Sequence, residues 1–260
     1  MLLTEEMEAM GRWLFRWRSY LPIITVVLLF IALDHFTYPF GSHRWDEAWE
    51  SVCLAVSLAG LVLRIATTGY APRRTSGRNM KSHVAEQLNT TGMYSIVRNP
   101  LYLGNFLIAL GMSLFPRLWW VPLVYALLFA LYYERIVFAE EVFLRRKFGR
   151  RFEEWAARTP AFVPRLRRWQ PPALPFNLRK VFRQEHQTLF GIVVVFYCLE
   201  GVGDYFVDRE LFADPVWNGA IVLAAAFFFT IRVLRKYTTV LKDREPQSPA
   251  AASSQAPLAE

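Results

Sequence analysis

The chain is cut into six apolar runs, residues 20–33, 51–63, 99–116, 118–133, 187–199 and 215–231, with nearly all of its charge in the gaps between them. Such segregation leaves few folds open. A chain that is 54% hydrophobic yet carries a formal charge of +8 keeps the two kinds of residue apart by placing one in lipid and the other in water. The expected class is all-α: a polytopic transmembrane helical bundle of about six spans. Several runs fall short of the roughly 20 residues that cross a bilayer core. Aromatic or snorkelling flanks would lengthen them, with Arg64 reaching outward from the second run and Trp45 and Trp49 at the opposite interface. The pair over 99–133 reads as the most secure and the first two runs as the least, which brackets the count between four and six.

Orientation follows from Lys and Arg. Of the 30 basic residues, 27 fall in alternate gaps; the other gaps keep only Arg44, Arg117 and Arg209, beside nine acidic residues. Both termini and the two long central loops are therefore expected in the cytoplasm. A bacterial inner membrane fits, with the endoplasmic reticulum as the alternative. The first run follows Arg12, Arg16 and Arg18 and reads as an anchor rather than a cleavable signal peptide. Topology and anionic head groups account for positive charge on such loops, so no nucleic-acid partner is expected. Cys53 and Cys198 lie in apolar runs and read as small hydrophobes, and no metal-ligating spacing is present.

Residues 1–66 are expected to form a first helical pair. Residues 67–183 would form a core with a cytoplasmic stretch, a helical hairpin over 101–139 turning at Pro116-Arg117, and an amphipathic segment. Residues 184–242 would form a last helical pair, and 243–260, rich in Pro, Ala, Ser and Gln, a disordered tail. Pro160, Pro164, Pro171, Pro172 and Pro175 rule out a long helix late in the core. Over 140–155, Leu144, Phe148, Phe152 and Trp155 fall on one helical face amid five basic residues. That is the pattern of a cytoplasmic amphipathic helix in the interface plane, with Gly149 as its point of interruption.

The stretch 88–104 carries the most chemical information. Asn99-Pro100 is a good helix start, since Asn can cap and Pro suits the first helical position. Arg98 beside a helix N-terminus makes a receiver for carboxylate or phosphate, and Gly104 permits close approach of a helix or a ligand. Glu134, Glu140 and Glu141 lie at the other end of the same hairpin, and acids there are costly unless solvated or bound to a cation. The antiparallel hairpin brings residues 98–102 near Glu140-Glu141. An anion receiver beside a cation receiver suits a zwitterion such as an amino-acid moiety.

The run Arg98-Asn99-Pro100-Leu101-Tyr102-Leu103-Gly104, the apolar hairpin, Glu140-Glu141 and then Phe148-Gly149 with a downstream Pro resemble the membrane methyltransferases. That superfamily includes the isoprenylcysteine carboxyl methyltransferases and phospholipid methyltransferases, and the resemblance covers roughly residues 85–165. There an Arg-His-Pro-x-Tyr motif and a Glu-Glu pair hold S-adenosylmethionine at the cytoplasmic face, while a lipid substrate enters from the bilayer. The resemblance implies that Arg98, Pro100, Tyr102, Gly104, Glu140 and Glu141 are cofactor contacts, and Tyr94 joins them as a candidate. Asn99 stands where the family more often has His; it can still hydrogen-bond and counts among the cofactor contacts, but it cannot titrate, so any acid/base role of that position is lost.

The chemistry asked for is modest, because S-adenosylmethionine carries its own activated methyl group. A carboxylate or phosphate acceptor needs only a cation to seat it, for which Arg74 and Arg78 are candidates; an amine would need a base, for which His83 or Glu86 would serve. The Arg-rich loop tilts the reading towards an anionic acceptor on a membrane lipid or lipidated substrate. His35, His43 and His186 have no partner pattern. Two other classes stay open: an NADPH-dependent membrane reductase of sterol-reductase type, and a non-enzymatic lipid-binding protein in which Arg98 and the Glu pair merely bridge the hairpin.

Overall fold

The computed structural model describes residues 2–18, 21–38, 43–72, 87–209, 211–212 and 214–241. Among them the chain is helical and contains no strand. In order come α1 (Leu3–Trp17), α2 (Leu21–Ala32), α3 (His43–Tyr70), the single turn α4 (Met93–Ile96), α5 (Pro100–Leu114), α6 (Trp120–Phe148), α7 (Arg150–Ala156), α8 (Leu178–Asp208) and α9 (Pro215–Tyr237).

Among the described residues each of the six apolar runs contains a helix, but the helices are unequal. Four helices, α3, α6, α8 and α9, are long and apolar enough to cross a membrane. At 1.5 Å per residue the 12-residue α2 and 15-residue α5 reach about 18 and 22 Å, short of a hydrocarbon core of about 30 Å. The expectation that both arms of the 99–133 hairpin are the surest spans is thus corrected: its first arm is short. The second run, expected to be weak, is instead part of a 28-residue helix. Its polar residues Arg64, Thr67 and Thr68 conceal that length in the sequence. Thr67 and Thr68 are buried against protein, and Arg64, expected to snorkel outward, is turned inward.

α5 survives because other helices enclose it. Its backbone lies close against α3 along Gly60, Gly104 and Gly111: a Cβ on Gly60 would stand 2.6 Å from the Gly104 carbonyl oxygen, well inside contact distance. Ser57 Oγ crosses the same seam to donate to the Ile108 carbonyl at 2.8 Å. At the far end of the hairpin Arg117, with φ near +61°, closes the turn. It pairs with Asp46, donates to the Thr37 carbonyl and lies over the Phe36 ring.

Two further features differ from expectation. The amphipathic stretch over 140–155 is not one helix in the interface plane. Residues 140–148 continue the long α6, Gly149 breaks it with φ near +53°, and α7 folds back so that Phe152 and Trp155 are buried. The N-terminal basic gap, meanwhile, contains a helix. α1 runs antiparallel along α6, with Gly11 tight against the Arg135 carbonyl and Phe15 packed among Tyr125, Phe129, Tyr133 and Ile136. Tyr132 Oη donates to the Leu14 carbonyl, and Arg146 grips Glu8 with both terminal nitrogens at 2.9 Å. The tail expected from residue 243 onward lies outside the described residues.

Candidate functional site

α5 starts where the sequence places it, with Pro100 in the first helical position and Asn99 at the cap. The Asn99 side chain does not cap the helix, however; its Nδ2 donates to the Ala161 carbonyl at 3.2 Å. That bond is one of a row. The segment 157–177, which its prolines keep from forming a long helix, lies as a strap along residues 91–99. Arg98 N donates to Pro160 O at 2.8 Å, Arg165 N to Ile96 O at 3.0 Å and Gly92 N to Gln170 O at 3.1 Å. Gln170 N donates to Ser95 Oγ at 2.9 Å, and Trp155 Nε1 to the Tyr94 carbonyl at 3.1 Å. The Arg98 backbone is therefore fixed from both sides.

From that mount Arg98 reaches across the hairpin to Glu141 of α6, with Nη1 3.0 Å from Oε1 and side chains 20% and 30% exposed. The charges attract, but the contact is not aligned as a hydrogen bond: Arg98 Nε and Glu141 Oε1 are both buried without a hydrogen-bond partner. One residue earlier, Glu140 accepts a 3.0 Å bond from Tyr102 Oη, and the Tyr102 ring lies 4.7 Å from that of Tyr133. Burial, and secondarily the Glu140 charge, push the Tyr94 phenol above its ordinary value, so it remains a neutral hydrogen-bonding group. Arg18, just beyond α1, stacks over Phe15 at 3.8 Å, and its charge acts on Glu140 and Tyr102. Buried polar groups are normally satisfied. Arg98 Nε and Glu141 Oε1, of opposite charge preference, thus keep hydrogen-bonding capacity that the protein itself does not use.

The structure thus brings Tyr94, Arg98, Asn99, Pro100, Tyr102, Glu140 and Glu141 to one end of the α5–α6 hairpin. Gly104 faces elsewhere, toward Gly60 and the Arg64 side chain of α3, and serves helix packing. Glu134 is exposed. Arg74, Arg78, His83 and Glu86 lie outside the described residues. Among the described residues no group of three or more His, Cys, Asp or Glu is arranged to hold a metal ion.

A second polar cluster lies beneath the first and was not anticipated. Arg64 donates through Nε and Nη2 to both oxygens of Glu185 on α8, at 2.9 and 3.1 Å, and through Nη1 to Asn105 of α5. Thr68 Oγ1 adds a third bond to Glu185. Lys180 Nζ, also buried, donates to the carbonyls of Ala71 and Pro72 at the end of α3. The available signal was a single acid, Glu185, among the basic residues Arg179, Lys180 and Arg183 at the start of α8; its partner lay 121 residues away, beyond the reach of spacing.

Fold and site together define a polytopic helical membrane protein with a cluster of charged and polar side chains at one end of a short hairpin. Among known proteins, residues 52–151 match the family model described as phospholipid methyltransferase. Three curated proteins are similar. A nickel-cobalt-cadmium resistance protein of Alcaligenes xylosoxydans is 32% identical over 55% of this chain and 62% of its own length. A cobalt-zinc-cadmium resistance protein of Cupriavidus metallidurans is 40% identical over 49% of this chain and 56% of its own. The protein-S-isoprenylcysteine O-methyltransferase of Schizosaccharomyces pombe is 28% identical over 44% of this chain and 46% of its own. The chain therefore spans about half the length of the curated relatives it matches. No solved structure matches it.

Proposed function

We propose that this protein is an S-adenosylmethionine-dependent methyltransferase acting on a membrane-embedded lipid or lipidated substrate at the cytoplasmic face. The observation that carries the reading is the unsaturated Arg98–Glu141 pair, held at 3.0 Å with a buried atom of each side chain unpartnered. Arg98 would hold the carboxylate of the cofactor's amino-acid end. Glu141 would hold its ammonium, and Glu140, oriented by Tyr102, would hold positive charge beside it. When bound, S-adenosylmethionine supplies an activated methyl group on a sulfonium. This chain's part is to fix that group, through the strap that pins the Arg98 backbone, and to exclude water with the ring layer of Tyr102 and Tyr133.

The acceptor is a carboxylate, phosphate or amine head group. Arg74 and Arg78 are proposed to seat an anionic acceptor, and His83 to take the proton from an amine. The positive-inside pattern supports cytoplasmic termini and, with it, a bacterial inner membrane. Metal resistance, named for two relatives, would then be served by altering a membrane component.

The test is transfer of radiolabel from methyl-labelled S-adenosylmethionine, with membranes containing or lacking the protein and separation of organic-soluble lipid from protein. Label in the lipid or a lipidated fraction only when the protein is present is the expected result, and base lability separates an ester from an N-methyl product. No label, with saturable NADPH binding instead, would overturn the reading in favour of a reductase. No label and no binding of either cofactor would leave a lipid-binding protein.

A further inference from the structure

The strap over 157–178 does more than pin the cofactor loop. It holds Arg158, Arg165, Arg167 and Arg168 and not one Asp or Glu. Between these cations its large apolar side chains point into the open: Val163 is 78% exposed, Leu166 73% and Trp169 49%. Residues 165–171 are exposed without exception, and Arg165, Arg167 and Arg168 form no ion pair among the described residues. Leu166–Arg168 is a 3₁₀ turn, in which positions three apart eclipse. Leu166 and Trp169 therefore share one edge, and Arg165 and Arg168 share the next.

This exposure belongs to an ordered segment, since the main-chain bonds to residues 91–99 hold the strap in one shape. Its location is fixed too. It follows α7, which folds back directly from the end of the α6 span, and it leads into α8, the next span. Asn177 N donates to the Gly69 carbonyl at the end of α3, and Phe176 packs on Tyr70 with ring centroids 5.0 Å apart. An ordered, acid-free strip of apolar side chains and unpaired guanidinium groups, tied to the ends of three spans, matches the chemistry of a bilayer interface. The side chains suit the upper acyl region and the cations suit the phosphates.

We propose that residues 162–169 form a docking surface for the anionic phospholipid headgroups of the protein's own membrane, with Leu166 and Trp169 inserted and Arg165, Arg167 and Arg168 on lipid phosphates. The surface stands whether or not the protein transfers methyl groups. To test it, the full chain is reconstituted in vesicles of phosphatidylcholine alone or mixed with phosphatidylglycerol, with brominated phosphatidylcholine as the quencher within the bilayer and acrylamide as the quencher in water. Subtracting the spectrum of Trp169→Phe isolates the emission of Trp169. That emission is expected to be quenched by brominated lipid, and more strongly when phosphatidylglycerol is present. The combined Arg165→Gln, Arg167→Gln, Arg168→Gln variant should lose this lipid dependence while its thermal unfolding stays unchanged. Trp169 open to acrylamide and untouched by brominated lipid would overturn the proposal, as would equal quenching in the two bilayers.

Discussion

Two arginine–glutamate pairs join helices in this molecule, and they are built to opposite specifications. Arg64–Glu185 is bidentate, its side chains are 13% and 4% exposed, and Asn105 and Thr68 take up bonding capacity left on either side. Arg98–Glu141 makes one unaligned contact, is more open, and leaves a buried atom on each partner unsatisfied. A saturated pair has nothing left to offer a ligand and fixes where α3, α5 and α8 meet. An unsaturated pair is poor architecture, since each buried polar group without a partner costs about 1–3 kcal/mol; in the function proposed above, a zwitterion completes it. The same two residue types therefore hold the fold in one place and are available for binding in the other.

The comparison breaks most visibly at the saturated pair. Glu185→Ala leaves the Arg64 charge buried and uncompensated, which costs about 3–5 kcal/mol; thermal unfolding in detergent should fall steeply, and a wild-type melting temperature would show that the pair does not hold the fold. At the other pair the effects should exchange places. Arg98→Gln or Glu141→Gln is expected to leave unfolding nearly unchanged. Each should weaken S-adenosylmethionine binding by roughly 10- to 100-fold, the equivalent of about 1.5–3 kcal/mol for a bond to a charged group. Isothermal titration reads this directly, and unchanged affinity in both variants would remove the pair from the site.

Gly104 separates packing from binding more finely. An alanine Cβ there would stand 2.9 Å from the Gly60 carbonyl and press on the Arg64 side chain. Gly104→Ala should therefore cost about 1–3 kcal/mol of stability, with cofactor affinity preserved in the folded fraction; a selective loss of affinity would return Gly104 to the binding surface. The smallest effect belongs to Tyr102→Phe, which removes one bond to Glu140 worth about 0.5–1.5 kcal/mol and should lower affinity less than tenfold.

Much of this was legible in the sequence, and what was hidden was hidden for physical reasons. The helical class, the Asn99-Pro100 helix start, the turn at Arg117 and the meeting of Arg98 with Glu141 follow from local pattern and an antiparallel hairpin. Arg64 misled because a cation beside an apolar run usually snorkels; only Glu185, far along the chain, makes the inward rotamer favourable. α5 was overrated because apolar content was read as length, whereas its glycine seam shows a helix kept in place by neighbours. α1 is hidden because the topology argument counts only the arginines Arg12, Arg16 and Arg18 of this terminus, whereas the packed helix is tied down through its acid Glu8, gripped by Arg146 far along the chain. Asn99 was expected to cap and instead ties down the strap, a segment whose folding path the prolines do not reveal.

The most direct measurement compares two ligands on two proteins: S-adenosylmethionine and its decarboxylated analogue, titrated into the wild type and into Arg98→Gln. If Arg98 receives the carboxylate, the wild type binds the analogue at least tenfold more weakly than the parent, and Arg98→Gln binds the two alike. Equal binding of both ligands by the wild type, or full discrimination retained in Arg98→Gln, would contradict the account.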